Sequence, residues 1–165
     1  MGGRRLMAAA ALLALGLVGC SPKAPPRKLQ VVATFLPISL FTKAVAGECA
    51  EVSSLVPPQV GPHDFQARPA DLAALQNARV LVKNGLGIEE FLDKLIASAA
   101  SPQLKVIDSS QGVATIADEE QAGHHHEHGH AHEHAHDHGP VNPHIWLDPQ
   151  RAAQQVTTIS DGLIA

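Results

Sequence analysis

Leu29 to Val56 runs LQVVATFLPISLFTKAVAGECAEVSSLV, and the reading of this stretch decides the fold. Residues 29–34 (LQVVAT) are short, mostly apolar and partly β-branched, which is the pattern of a buried strand. Phe35 to Ala46 follows as a helix, with Pro37 tolerated in the first turn and Gly47 just past the end. Glu51 to Val56 is a second strand. The alternation then continues. Pro69 to Asn77 forms a short helix with Leu72 and Leu75 on one face, and Arg79 to Lys83 (RVLVK) is a third strand. Ile88 to Ala99 is the clearest helix, because Ile88, Phe91, Leu92, Leu95, Ile96 and Ala99 make an apolar stripe at helical spacing. Glu89 and Glu90 fall in its first turn, where the helix dipole favours acidic groups, and Pro102 stops it. Leu104 to Asp108 (LKVID) is a fourth strand. Strands separated by helices predict an α/β fold, a four-stranded parallel sheet over residues 29–109 with helices on both faces. Such sheets place ligands at the carboxyl ends of their strands.

The chain begins with Arg4 and Arg5, followed by a fourteen-residue apolar run from Leu6 to Gly19. That order marks a secretory signal peptide over residues 1–19, too short to span a bilayer. Cys20, directly after Leu17-Val18-Gly19, resembles the bacterial lipoprotein processing site. The resemblance implies a lipidated Cys20 at the start of the mature chain, and an extracytoplasmic protein anchored to the membrane in the periplasm or at the cell surface. Residues 20–28 are a tether; Ser21 to Lys28 (SPKAPPRK) has three prolines and three basic residues and favours an extended chain. Without Arg4 and Arg5, ten basic and sixteen acidic residues remain, a net charge of −6 with histidine neutral. That balance does not suit nucleic acid. Cys49 has no partner in this chain if Cys20 carries lipid. It is then a buried small residue, a free thiol, or half of a disulfide to other sequence.

Eleven histidines are present, and nine of them fall between His124 and His138 (HHHEHGHAHEHAHDH). They are His124, His125, His126, His128, His130, His132, His134, His136 and His138. Imidazole holds zinc and neighbouring divalent transition metals well near neutral pH. Ala, Gly, Glu and Asp fill the gaps, so residues 113–140 are expected to lack regular structure. Spacing of this kind gives many equivalent weak sites and no unique geometry.

The other two histidines sit beside prolines in short turns. His63 lies in Pro57–Asp64 (PPQVGPHD), after the second strand, and His144 lies in Asn142–Pro149 (NPHIWLDP). Both fall at the same end of the expected sheet, and a loop already fixed by Gly and Pro loses less entropy on binding. Asp64 could support His63 as a hydrogen-bond partner or cap the loop. Asp148 fits a helix N-cap with Pro149 at the first helical position, and Trp146 fits core packing.

In order and motif the chain resembles the substrate-binding lipoproteins of bacterial metal-importing ABC transporters, the zinc and manganese class. The resemblance runs from Leu17 to Ala165. It rests on the His63 loop followed by Arg68-Pro69-Ala70-Asp71, on Ala78 to Glu89 (ARVLVKNGLGIE), on the histidine-rich insertion and, most specifically, on NPHIWLDP. It implies His63 and His144 as primary metal ligands, Zn2+ as cargo ahead of Mn2+, and an ABC permease of the same importer as partner. It also implies two lobes joined by a long helix, with a third ligand and often an acidic fourth from the second lobe. On that scheme residues 29–148 are the N-terminal lobe and 149–165 the start of the linking helix, with no C-terminal lobe in this chain. Val156, Ile159 and Leu163 on one face of that helix are then expected to be exposed.

Two other functions compete with importer binding protein. One is a periplasmic zinc buffer or chaperone acting through the histidine tract alone. The other is a metal-dependent hydrolase, which needs three protein ligands, an open position and a general base. No Gly-x-Ser-x-Gly motif occurs, and His-Glu-x-x-His is spelled only within the histidine-rich tract, at residues 126–130 and 132–136, where no helix is expected to present it; the sequence is read as non-enzymatic.

Overall fold

The computed structural model describes residues 27–116 and 141–165; the signal peptide, Cys20, most of the tether and the nine histidines of the tract lie outside the described residues. The elements are β1 (Leu29–Ala33), α1 (Leu36–Ala46), β2 (Ala50–Ser54), α2 (Pro69–Asn77), β3 (Val80–Lys83), α3 (Leu92–Ala99), β4 (Lys105–Asp108), a 3-10 turn (Ile145–Leu147) and α4 (Pro149–Ile164). The four strands are all parallel, in the order β2-β1-β3-β4.

Side chains of a strand point alternately to its two faces. Val31 and Ala33 of β1, Val80 and Val82 of β3 and Ile107 of β4 join Ile38 of α1 and Ile159 of α4 in one core. Val32 and Leu81 face the other way, onto Leu75 of α2 and Leu92 and Leu95 of α3. The sheet is therefore covered on both faces, as the strand–helix alternation requires. Each fully buried Val, Leu or Ile contributes about 1.5–3 kcal/mol relative to an exposed one. Chain direction across the sheet reverses at β1, whose neighbours are β2 on one side and β3 on the other. Thr34, just past β1, and Asn84, just past β3, are both fully buried there.

The segment before α3 departs from the sequence reading. The helix starts at Leu92, not Ile88. Gly85, Leu86 and Gly87 have φ of 88°, 59° and 79°, so the chain reverses tightly instead of starting a helix. The sequence Asn84-Gly85-Leu86-Gly87 permits this, because glycine occupies left-handed backbone without steric penalty. A Cβ at Gly85 would run into the Asp108 carboxylate and meet Ser110 Oγ at 2.7 Å. Ile88, 1% exposed, consequently belongs to the α1/α4 core and not to the α3 stripe. Glu89 is drawn inward and does not face solvent at a helix N-terminus.

The expected exposure of Val156, Ile159 and Leu163 also needs correction. Ile159 is fully buried, Leu163 packs partly against the same core and Val156 is half-buried. α4 lies back against α1 and β4. Gly162 makes the approach possible, since a Cβ there would come within 2.7 Å of Ile107 Cδ1. Cys49 is an exposed free thiol in the turn before β2, so its reading as a buried small residue falls.

Candidate metal centre

The His63 loop is built from two tight turns and an aromatic anchor. Val60 N–H donates to Pro57 O at 2.9 Å, and Asp64 N–H donates to Gly61 O at 3.2 Å. Gly61 leaves room for the Asp64 carboxylate, whose Oδ2 would lie 3.3 Å from a Cβ at that position. Phe65, 8% exposed, packs edge-on against Phe91 with ring centroids 4.8 Å apart. An open pocket of about 500 Å³ lies between this loop and α3, with Pro62, His63, Phe65, Phe91 and Lys94 on its walls.

His144 is held by the residue two positions before it. Asn142 Oδ1 accepts the His144 backbone N–H at 3.0 Å and faces His144 Nδ1 at 2.9 Å. An oxygen that accepts can only meet Nδ1 as a donor, so the neutral ring carries its proton on Nδ1 and has its lone pair on Nε2. The sequence reading gave Asn142 no role. An Asn two residues before a histidine, across a proline, is the signal that could have assigned one. Trp146 stacks at a tilt on the other side of the ring, 5.2 Å between centroids, and is itself braced by Phe35 at 4.9 Å. Its expected core role is met, with a second role as the wall behind His144. Asp148 caps α4 by accepting from Gln150 N at 2.8 Å and Arg151 N at 3.0 Å. The Arg151 N–H above all, helped by the Gln150 N–H and the Arg151 charge, holds its carboxyl below the ordinary range against the opposing effect of burial.

The two imidazoles meet at the carboxyl end of the sheet. Their ring centroids are 5.9 Å apart and the planes are tilted by 52°. Two imidazoles that bind one tetrahedral zinc at about 2.0–2.1 Å have ring centroids roughly 5–6 Å apart. Among the described residues, no group of three or more His, Cys, Asp or Glu side chains is gathered to hold an ion, so the pair is what this surface offers. The ends of the histidine-rich insertion come together beside it: Asn142 N–H donates to Ile116 O at 2.8 Å.

Below the site lies Glu89, 7% exposed. Its carboxylate accepts from Thr34 Oγ1 at 2.7 Å, Asn84 N at 2.6 Å and Gly85 N at 3.1 Å. Burial raises its pKa above the ordinary carboxylate range, partly offset by the Thr34 hydroxyl and the two backbone donors.

Comparison with known proteins agrees with the resemblance carried by the motifs. The family described as ZnuA, zinc-uptake complex component A, periplasmic, matches residues 31–165. The chain is 35% identical over 166 residues to the zinc-binding lipoprotein AdcA of Streptococcus pneumoniae, covering 94% of this chain and 30% of that protein. It is 34% identical over 137 residues to the high-affinity zinc uptake system protein ZnuA of Bacillus subtilis, covering 83% of this chain and 42% of that one. The crystal structure of Zn(II)-bound AdcA from Streptococcus pneumoniae superposes with a TM-score of 0.64 at 29% identity, over 82% of this chain and 26% of that chain. The chain thus spans less than half the length of each of these relatives. With the matching parallel sheet and the paired histidine loops at its carboxyl end, the chain belongs to the ZnuA family of zinc-uptake components.

Proposed function

We propose that this chain binds Zn2+ as cargo between His63 and His144, within the substrate-binding component of a metal-ion ABC importer. The ion then passes to the permease of that importer. The observation that carries the reading is the pair of imidazoles whose ring centroids lie 5.9 Å apart. Capture and release of an ion need ligands in fixed positions and no bond-making chemistry. Imidazole nitrogen suits zinc, and Mn2+ prefers oxygen, so Zn2+ is the cargo ahead of Mn2+. The remaining coordination positions take water, histidines of the tract, or ligands from a second lobe.

His124 to His138 act as a low-affinity collector. The insertion is anchored at Asn142, two residues from His144, so an ion held by the tract stays near the pair at raised effective concentration. Replacing all nine tract histidines by glutamine in the full chain tests this. Calorimetric titration is expected to lose several weak zinc equivalents and to keep a single tighter one. Loss of all binding would support the zinc-buffer reading instead.

The anchor is proposed at Cys20, at the end of the signal peptide. Cys20→Ala is expected to move the protein from the membrane fraction to the soluble fraction, or to block maturation. Unchanged fractionation rules the anchor out.

A further inference from the structure

We infer that Asn84 is a positioning residue for the His144 imidazole: its buried side-chain amide clamps the Pro143 carbonyl that leads into His144. The inference rests on the zinc-binding reading above and adds a residue outside the two histidine loops. Asn84 is fully buried, and its Nδ2 donates both to Gly85 O at 3.0 Å and to Pro143 O at 3.1 Å. The peptide unit joining Pro143 to His144 is therefore held on both edges. Its carbonyl is bound by Asn84, and its N–H is bound by Asn142 Oδ1 at 3.0 Å. With that plane fixed, the His144 N–Cα bond is fixed too, and the Asn142 contact to Nδ1 holds the ring at the far end of the side chain. Both amide donors of Asn84 are committed, which forces its Oδ1 toward α4. There Gln155, also fully buried, donates its Nε2 to Asn84 Oδ1 at 3.0 Å and to Ser109 Oγ at 2.9 Å.

The polarity of this network has one solution. Turning the Asn84 amide over would set an oxygen against the Pro143 carbonyl and nitrogen against the Gln155 nitrogen, leaving several buried groups unpaired. Gln155 Oε1 is already a buried acceptor with no partner among the described residues. Its Nε2 is needed by Asn84 and Ser109, so this orphan follows from the fixed orientation of Asn84. Asn84 and Gln155 are 71 residues apart and join the end of β3 to the helix that follows the ligand loop. The clamp adds to the backbone hydrogen bond from Asn142 to Ile116 in ordering residues 141–144, and a ligand that must be ordered on binding loses affinity to that ordering.

The test uses the full chain with its nine tract histidines replaced by glutamine, so that His63 and His144 are its two imidazoles. Asn84→Ala and Asn84→Asp are compared with this parent by zinc competition against a chelating dye and by 15N-histidine NMR. The expected result is an affinity about 10-fold lower, in the range for residues that orient a metal ligand. The NMR is expected to show a mixed tautomer or a broadened signal for His144, with His63 unchanged. A role in fold stability alone would lower Tm and leave both readouts of the folded protein as in the parent, and that result overturns the inference. Zinc binding by the parent that does not respond to His144→Ala defeats the zinc reading. Binding that responds to His144→Ala but not to either Asn84 variant defeats the positioning role alone. Should neither Asn84 variant fold, the unsubstituted chain still decides. The Asn84 side-chain amide protons are expected to exchange with solvent far more slowly than those of the exposed Asn77, and equal exchange overturns the clamp.

Discussion

His144→Ala lowers zinc affinity by about 100-fold or more, roughly 2.7 kcal/mol, in a chain whose nine tract histidines are glutamine. On the proposed site one of two protein ligands is lost, and water is expected to take its place. Among the described residues the pair is not part of a larger group of ligating side chains that could replace it. His63→Ala is expected to carry a similar penalty, since in the proposed site each imidazole supplies one nitrogen to the same ion. Asn142→Ala has a smaller effect, because the ring remains and only its tautomer and direction are released. In the parent chain, affinity is expected to fall as pH drops, because protons compete for the ligating nitrogens. Isothermal titration reads all of these. Tight binding that survives both His63→Ala and His144→Ala would place the zinc elsewhere and sink the site.

Much of this architecture was legible in the sequence, for identifiable reasons. Strand–helix alternation across residues 29–108 carried the parallel sheet, because a parallel pair needs a crossover and the helical stripes supplied it. The Asp148-Pro149 pair announced the start of α4, and Asp148 does cap it. His63 and His144 stand out in the sequence by their prolines and by the end of the expected sheet that they share. What the sequence hid depends on long-range contacts. Ile88 and Glu89 continue the apolar and acidic pattern of a helix, yet two glycines with positive φ turn them into a buried reversal. Helical periodicity cannot distinguish a first turn from a tight loop that precedes it. The exposure expected for Ile159 failed for the same reason. Its stripe was assigned no partner, and the partner is a surface made by Ile38 and Ile107. Asn84 and Gln155 looked like ordinary polar residues, since their roles exist only where the end of β3 meets α4.

Glu89→Ala produces the largest loss of stability expected of any single change near the site. The carboxylate is the acceptor for two backbone N–H groups, of Asn84 and Gly85, and for the Thr34 hydroxyl, all at the carboxyl ends of β1 and β3. Removing it leaves these donors buried with nothing to accept them, at about 1–3 kcal/mol each. A net destabilisation of about 3–5 kcal/mol follows, because the loop relaxes in part. Against a total stability of about 5–15 kcal/mol for a domain, Tm falls by roughly 10 °C or more. Glu89→Gln separates hydrogen bonding from charge. The amide keeps one acceptor oxygen but turns a donor toward the Gly85 N–H, so it too destabilises, by less. Its pH dependence has a definite sign. Burial raises the folded-state pKa of Glu89, with the Thr34 and backbone donors opposing, so the folded chain holds this proton to higher pH than the unfolded chain does. The contribution of Glu89 is therefore full below the ordinary carboxylate range and declines as pH rises through the raised folded value. Glutamine has no such slope, so the deficit of Glu89→Gln against the parent is widest in acid and narrows toward neutral pH. Urea unfolding of both chains from about pH 4 to pH 7 measures the difference. Parallel stability curves would mean that the carboxylate is not held above its ordinary range, and that its three donors outweigh its burial.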